Sequence, residues 1–130
     1  MTVGVRHGRE VRPGSLPAAD LYLFSSPGRF GEPSARVRRF LRHLELAPGT
    51  RYAMLTTEAM PGPDTALHPQ RVRSIINEIL TAQGLVKVAQ DAVHVTGVRG
   101  PPEPGWRQMV AEFADRLLPR AQTSRGVPAR

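Results

Sequence analysis

The chain has 130 residues, of which 40% are hydrophobic and 22% are charged, the size and composition of one globular domain with one core. It contains no cysteine, which excludes disulfides, thiolate nucleophiles and cysteine metal sites. The formal net charge is +7, and a positive field of this kind attracts polyanions.

The composition along the chain predicts one domain. We expect it to span residues 1–119, with residues 1–19 the least clearly assigned, followed by a flexible basic tail over residues 120–130. No apolar run approaches the ~20 residues needed to cross a bilayer, and the first residues are too polar for a signal peptide. The sequence therefore predicts a cytoplasmic protein with no membrane partner.

The positive charge is scattered along the sequence. Of the 18 basic residues, 17 are arginine and one is Lys87, a bias that a GC-rich coding sequence also produces. Nucleic-acid binding requires a concentrated basic stripe, so we do not expect a nucleic-acid partner. The arginines that would make such a contact are Arg36, Arg38, Arg39, Arg42, Arg71 and Arg73.

The first strand–helix unit begins with an unbroken apolar run, Asp20–Phe24, which predicts a fully buried strand. A loop follows from Ser25, and Ser34 is placed to cap the next helix. Apolar residues then recur at spacings of i, i+3, i+4 and i+7 with arginines between them, as in an amphipathic helix. Pro48-Gly49 is expected to end this segment. Its apolar stripe is Val37, Phe40, Leu41 and Leu44.

A second unit repeats this pattern. Tyr52–Leu55 predicts another buried strand that runs into the polar segment Thr56-Thr57-Glu58. Pro69 suits the first turn of a helix, and Gly84 suits its C-terminal stop. The apolar stripe of this helix is Val72, Ile75, Ile76, Ile79 and Leu80.

The third unit is less regular. Leu85–Val88 and Val93–Val98 predict an extended region, either one strand interrupted in the middle or a short hairpin. A third apolar stripe at helical spacing then predicts a helix that ends at Pro119. The stripe consists of Trp106, Met109, Val110, Phe113 and Leu117.

Alternating strands and helices predict right-handed crossovers and a parallel sheet with helices on its faces. Ligands of such sheets bind beyond the carboxyl ends of the strands, so the segments after the first two strands are the candidate site. They offer hydroxyls, glycine backbone, a cation, an aromatic ring, an acid and a thioether. The alternative is that each segment is only a turn with capping hydroxyls. The candidate residues are Ser25, Ser26, Pro27, Gly28, Arg29, Phe30 and Gly31 after the first strand, and Thr56, Thr57, Glu58 and Met60 after the second.

The same residues carry a family resemblance. The run from Asp20 to Gly31, with the following Pro33, Val37, Phe40 and Leu41, resembles the third strand, flavin-facing loop and next helix of flavodoxin-family proteins. Tyr52–Thr57 is similar to the fourth strand and its loop, and Trp106–Leu118 to the closing helix. The resemblance therefore covers Asp20–Leu118.

The resemblance implies an α/β fold of three layers, a flavodoxin-like open parallel sheet with helices on both faces. It also implies an FMN-binding flavoprotein, either an electron-transfer protein or a flavin-dependent oxidoreductase, with a redox partner protein. The candidate residues above would line the two sides of the isoalloxazine ring, and Phe30 is the best stacking residue. The redox chemistry would belong to the cofactor.

One part of the family pattern is missing. Nothing between Met1 and Asp20 resembles the family's first strand and phosphate-binding loop, which implies N-terminal truncation and weakened FMN binding. Either the start codon is placed downstream of the true one, or the segment is absent and the sheet is completed in another way. If Thr2–Arg6 were the family's second strand, a gap would remain beside the Asp20–Phe24 strand. An exposed edge of that kind favours a homo-oligomer, and the alternative function is a non-catalytic flavodoxin-fold interaction module without a cofactor.

Other reactive residues show no recognisable arrangement. The four histidines, at positions 7, 43, 68 and 94, lack metal-ligand spacing. The acids Asp64, Asp91, Glu103 and Asp115 form no visible dyad. The sequence thus predicts no metal site and identifies no catalytic residue.

Overall fold

A computed structural model of the chain describes residues 3–27, 34–59, 71–95 and 101–126. A short 3-10 helix, Pro13–Ser15, precedes three strand–helix pairs. In chain order these are β1 (Tyr22–Pro27), α1 (Ala35–Arg42), β2 (Arg51–Ala59), α2 (Arg71–Thr81), β3 (Val86–Val95) and α3 (Trp106–Gly126).

The three strands form one parallel sheet in the order β1-β2-β3. Tyr22 of β1 lies opposite Tyr52 of β2, and the pairing continues in register to Pro27 and Thr57. A register shift beside Tyr52 marks an irregularity between β2 and β3. The chain is therefore a small α/β domain with an open three-stranded parallel sheet, which confirms the predicted α/β class and parallel sheet and is compatible with a flavodoxin-like fold.

Both faces of β2 are covered, because successive side chains of a strand point to opposite faces. On one face Tyr52 and Met54 pack with residues of α1 and α2. On the other face Ala53 packs with Phe113 and Leu117 of α3. The larger core, on the α1 and α2 side, contains Leu41, Leu44, Tyr52, Met54, Val72, Ile76, Leu80 and Leu85.

A partly buried polar bridge joins the larger core to β3. The Tyr52 hydroxyl donates to Asn77 Oδ1 at 2.7 Å, and Asn77 Nδ2 donates to Gln90 Oε1 at 3.0 Å. Burial raises the pKa of Tyr52 above its ordinary value of 10.0, so the phenol stays protonated and acts as a donor. The bridge therefore joins β2, α2 and β3.

Two glycines close turns at the amino end of the sheet. Gly49 has φ of 90° and Gly84 has φ of 81°, a region that residues with a Cβ rarely adopt. The Gly49 N–H donates to the Gly84 carbonyl at 2.7 Å. A Cβ on Gly84 would lie 3.0 Å from the Cβ of Pro48, so the two turns pack against each other because Gly84 has no side chain.

The start of α1 agrees with its prediction, but its end does not. Ser34 Oγ accepts from the Val37 N–H at 3.2 Å, the predicted cap. The helix ends at Arg42 rather than near Pro48, and tight turns follow, in which the His43 N–H donates to the Phe40 carbonyl at 3.2 Å. Leu44 of the predicted stripe is still buried, although it lies beyond the helix.

Other boundaries also differ from the sequence prediction. The predicted loop residues Ser25 to Pro27 and Thr56 to Glu58 belong to β1 and β2, because the neighbouring strand continues the ladder. The region after Gly84 is one continuous strand, so the hairpin alternative was wrong. Residues 3–6 are exposed and form no strand.

The predicted end of α3 at Pro119 was also wrong. The helix continues through Pro119 to Gly126. An internal proline removes one backbone hydrogen bond, but leucine, arginine and alanine around it favour helix. Within the described residues, no helix has the length and apolarity needed to span a membrane.

The docking of α3 can be tested at two adjacent leucines. Leu117 is 8% exposed and Leu118 is 40% exposed. Truncation to alanine should therefore lower the free energy of unfolding more at Leu117 than at Leu118. We expect Leu117→Ala to lower the free energy of unfolding by about 2–5 kcal/mol, and Leu118→Ala by about 0.5 kcal/mol or less. Urea unfolding followed by Trp106 fluorescence measures both, and equal losses would contradict the packing of α3 on β2.

Candidate functional site

The carboxyl ends of β1, β2 and β3 lie at one edge of the sheet, since the three strands are parallel. We call this the carboxyl edge. It comprises Ser25, Ser26 and Pro27 of β1, Thr56, Thr57 and Glu58 of β2, and His94 of β3. Open parallel sheets bind ligands at this kind of edge, so it is the first place to look for function.

The predicted site residues on β1 and β2 are neighbours in the ladder. Ser26 lies opposite Thr56, and Pro27 lies opposite Thr57. The two segments predicted to contact one ligand therefore run beside each other as far as Pro27, where β1 ends, while β2 continues to Ala59. Gly28, Arg29, Phe30, Gly31 and Met60 lie outside the described residues.

The remaining predicted residues divide between the two faces of the sheet. Ser26, Thr56 and Glu58 are buried on the face that carries α1 and α2. Ser25 and Thr57 lie on the α3 face by strand alternation, where Ser25 is exposed and Thr57 is half-buried. One ligand on one face could therefore contact only part of the predicted set.

Glu58 is a buried carboxylate at the end of the central strand. Its Oε1 accepts from Thr56 Oγ1 at 3.0 Å and from Arg73 Nε at 2.8 Å. Its Oε2 accepts from Arg73 Nη2 at 3.4 Å. A buried charge is tolerated only when it is paired and hydrogen-bonded, and α2 provides this pairing by placing Arg73 in its first turn.

His94 extends this group to β3 and to the chain after it. Glu58 and His94 are partners in the ladder, and His94 Nε2 lies 3.9 Å from Glu58 Oε2. On the other side of the ring, Nδ1 lies 3.4 Å from Glu103 Oε1. The imidazole therefore stands between two carboxylates. We call Thr56, Glu58, Arg73, His94 and Glu103 the Glu58 cluster.

Backbone contacts hold Glu103 in this place. Its N–H donates to the His94 carbonyl at 2.7 Å, and its Oε1 accepts from the His94 N–H at 3.1 Å. Val95 forms an isolated antiparallel bridge with Pro102. The chain after β3 thus returns to the strand and is fixed there before α3 begins.

The Glu58 cluster is a network of ion pairs and hydrogen bonds in which the groups bind one another. Both Glu58 oxygens accept from Arg73, and Oε1 also accepts from Thr56, so the carboxylate has little capacity left for an outside ligand. In residues 3–27, 34–59, 71–95 and 101–126, no three histidine, aspartate or glutamate side chains come together as a metal site. The cluster can stabilise the carboxyl edge and set its charge.

Sequence reasoning missed three members of this cluster. His94 was interpreted as a dispersed histidine, Glu103 as an isolated acid, and Arg73 as one of several scattered arginines. The available signal was the parallel register, since Glu58 and His94 both lie near the ends of neighbouring strands. That signal requires the strand pairing, which a single sequence does not provide.

Comparison of the chain with models of known protein families, with curated proteins and with solved structures finds no match.

The pairing of Glu58 can be tested with two arginine substitutions. In the Arg73–Glu58 pair the side chains are 18% and 5% exposed, whereas in the Arg116–Asp91 pair they are 60% and 30% exposed. Arg73→Gln leaves a buried carboxylate unpaired and should lower the free energy of unfolding by about 2–3 kcal/mol. Arg116→Gln should lower the free energy of unfolding by less than about 1 kcal/mol.

A second substitution identifies the cause of the loss. Glu58→Gln in the Arg73→Gln background removes the unpaired charge and should recover part of the stability. Urea unfolding at neutral pH measures all variants. A loss in Arg73→Gln no larger than that in Arg116→Gln would show that Glu58 does not depend on its arginine.

Proposed function

We propose that this chain is a flavodoxin-like, FMN-binding redox protein, an electron carrier or flavin-dependent oxidoreductase that exchanges electrons with a redox partner protein. The observation that supports the proposal is the register at the carboxyl edge, where Ser26 lies opposite Thr56 and Pro27 opposite Thr57. The two segments that resemble the flavin-facing loops of the family thus begin side by side. This is the arrangement that a planar ring held between two loops requires.

The described residues fit part of a flavin site. Ser25 is exposed and Thr57 is half-buried on the α3 face, and hydroxyls can both donate to and accept from the polar edge of an isoalloxazine ring. Thr56 donates to Glu58, and Glu58 binds Arg73. We therefore assign direct contact to Ser25 and Thr57 and assign Thr56 and Glu58 to support of the strand end.

The phosphate of FMN needs a separate contact. Arg73 is the cation that α2 brings to the carboxyl edge, and its Nε already binds Glu58 at 2.8 Å. Binding a phosphate with Arg73 would leave a buried carboxylate unpaired, which is costly. We therefore do not assign phosphate binding to Arg73. For the same reason we expect the affinity of this chain for FMN to be modest.

Each part then has a defined role. Bound flavin supplies the one- or two-electron chemistry. Ser25 and Thr57 orient the ring, and the Glu58 cluster keeps the end of β2 in place. Because Glu58 is neutralised by Arg73, its charge opposes the charge of a reduced flavin less than a free carboxylate would.

The proposal predicts saturable FMN binding. Titration of the full chain, followed by flavin fluorescence quenching and by the absorption spectrum, should give a curve that reaches a plateau. Thr57→Val removes one hydroxyl and should weaken binding about fivefold. Thr50→Val is the matched control, because Thr50 lies at the opposite end of the sheet, where its hydroxyl donates to the Ala47 carbonyl at 2.6 Å.

The titration has clear contrary results. A flat curve with protein that circular dichroism shows to be folded would reject FMN binding by this chain. Equal weakening by Thr57→Val and Thr50→Val would reject the assignment to the carboxyl edge.

A second candidate function is that of an interaction module without a cofactor. Among the described residues β1 pairs with β2 alone, so its other side is an edge of the sheet. Leu23 in this strand is 50% exposed, and the strand YLFSSP carries no charged residue. Edge strands of monomeric proteins are commonly protected by charge or bulges. The partner that fits this edge is a second copy of the chain, with the two β1 strands antiparallel about a two-fold axis.

This candidate predicts a mass that rises with protein concentration in sedimentation analysis. Leu23→Lys should keep the chain monomeric, because it places a charge in the new interface. Val86→Lys is the matched control: Val86 is 49% exposed and lies on the opposite edge strand, β3. A wild-type chain that stays monomeric at every concentration, or equal effects of the two lysines, would contradict dimerisation through β1.

A further inference from the structure

An open groove of about 590 Å³ runs between the segment before β1 and helix α1. This volume lies in the range of sites for small ligands. We call it the basic groove, after the three arginines in its lining. It is lined by Gly8, Arg9, Val11, Pro13, Arg36, Arg39, Phe40 and His43, and it shares no residue with the carboxyl edge.

Two arginines of the basic groove lie on α1, and His43 follows them just beyond the helix. Arg36, Arg39 and His43 follow one another at spacings of three and four residues, which places them on one side of the helix axis. Arg9 faces them from the other wall. Among the described residues, no acidic residue lines the groove or occurs within α1, so several cations share one concave surface.

Two arginines elsewhere in the described chain bind acidic residues. Arg73 binds Glu58, and Arg116 binds Asp91 at 2.9 Å. Within the described residues, the guanidinium groups of Arg36 and Arg39 have no ion pair of this kind. Like charges held close together repel, and a bound anion would relieve that repulsion.

We propose that the basic groove binds a small ligand that carries at least two phosphate groups, of the size of a nucleotide. Guanidinium groups bind phosphate oxygens in pairs with matching geometry. Residues three apart on a helix have Cβ atoms ~5–6 Å apart, a spacing suited to adjacent phosphates. Arg9 closes on the ligand from the opposite wall, and half-buried Phe40 offers an apolar surface beside the charges.

The extent of the groove favours a small ligand over a nucleic acid. Arg42, the next exposed arginine of α1, lines a different groove together with Glu78 of α2. That acid interrupts the positive surface, whereas a nucleic-acid backbone needs a continuous basic track. The positive surface is therefore concentrated at one site.

The test is isothermal titration of the full chain with inorganic tripolyphosphate at about 0.15 M salt, where long-range attraction is largely screened. We expect saturable binding. The double variant Arg36→Gln/Arg39→Gln should lower the affinity at least about tenfold, because two charge-assisted contacts are lost. Glutamine favours helix about as well as arginine, so α1 should remain intact, and circular dichroism checks this.

The control removes the same charge elsewhere. Arg42→Gln/Arg107→Gln also removes two positive charges, but neither residue lines the basic groove. Its affinity for tripolyphosphate should stay within about twofold of wild type, since only the distant field changes. Thr57→Val should leave tripolyphosphate binding unchanged, which separates this site from the proposed flavin site.

Three outcomes would overturn the proposal. The first is no saturable binding by folded wild-type chain at this salt concentration. The second is an equal loss of affinity in the two double variants, which would show general attraction without a site. The third is tighter binding of a single-stranded oligonucleotide, weakened equally by both double variants, which would assign the positive surface to nucleic acid.

Discussion

The interaction on which the arrangement of the sheet depends is the pairing of Glu58 with Arg73. Because β2 is covered on both faces, a polar group on it must find its partner within the fold. Placing Arg73 over Glu58 sets the rotation of α2. One turn later Asn77 then meets Tyr52 of β2, and the apolar side of the helix, represented by Ile76, turns into the core.

The two edges of the sheet differ because the helices cover them unequally. On the α3 face the core is centred on β2 and reaches β3 through Val88 and Ala89. The chain after β3 also folds back to His94 through Glu103. By contrast, Leu23 of β1 remains half exposed on the same face. The Glu58 cluster therefore stabilises the side of β2 next to β3. The side next to β1 remains available to bind a ligand or a second chain.

The sequence predicted the main helices and strands well, because the helices leave a periodic apolar pattern and the buried strands leave short apolar runs. It predicted their ends poorly where a neighbour decides them. Ser25 to Pro27 have weak strand preference, yet β2 continues the ladder beside them. The Glu58 cluster could not be predicted for a similar reason, because most of its members are far apart in sequence and meet only in the folded chain. The basic groove was equally hidden, since Arg9 joins the arginines of α1 only in the folded chain.

Helix α1 links the two proposed sites while keeping their chemistry apart. Its inner side, with Val37 and Leu41, packs in the larger core with Tyr52 and Met54 of β2. Its outer side carries Arg36 and Arg39, and the described residues that line the groove beside them include no acid. Exposed arginines add little to the core, so the fold itself does not require the outer stripe. A helix needs one apolar side to pack against a core. The eight residues of α1 include four arginines, which is more than the packing or the solubility of this helix requires.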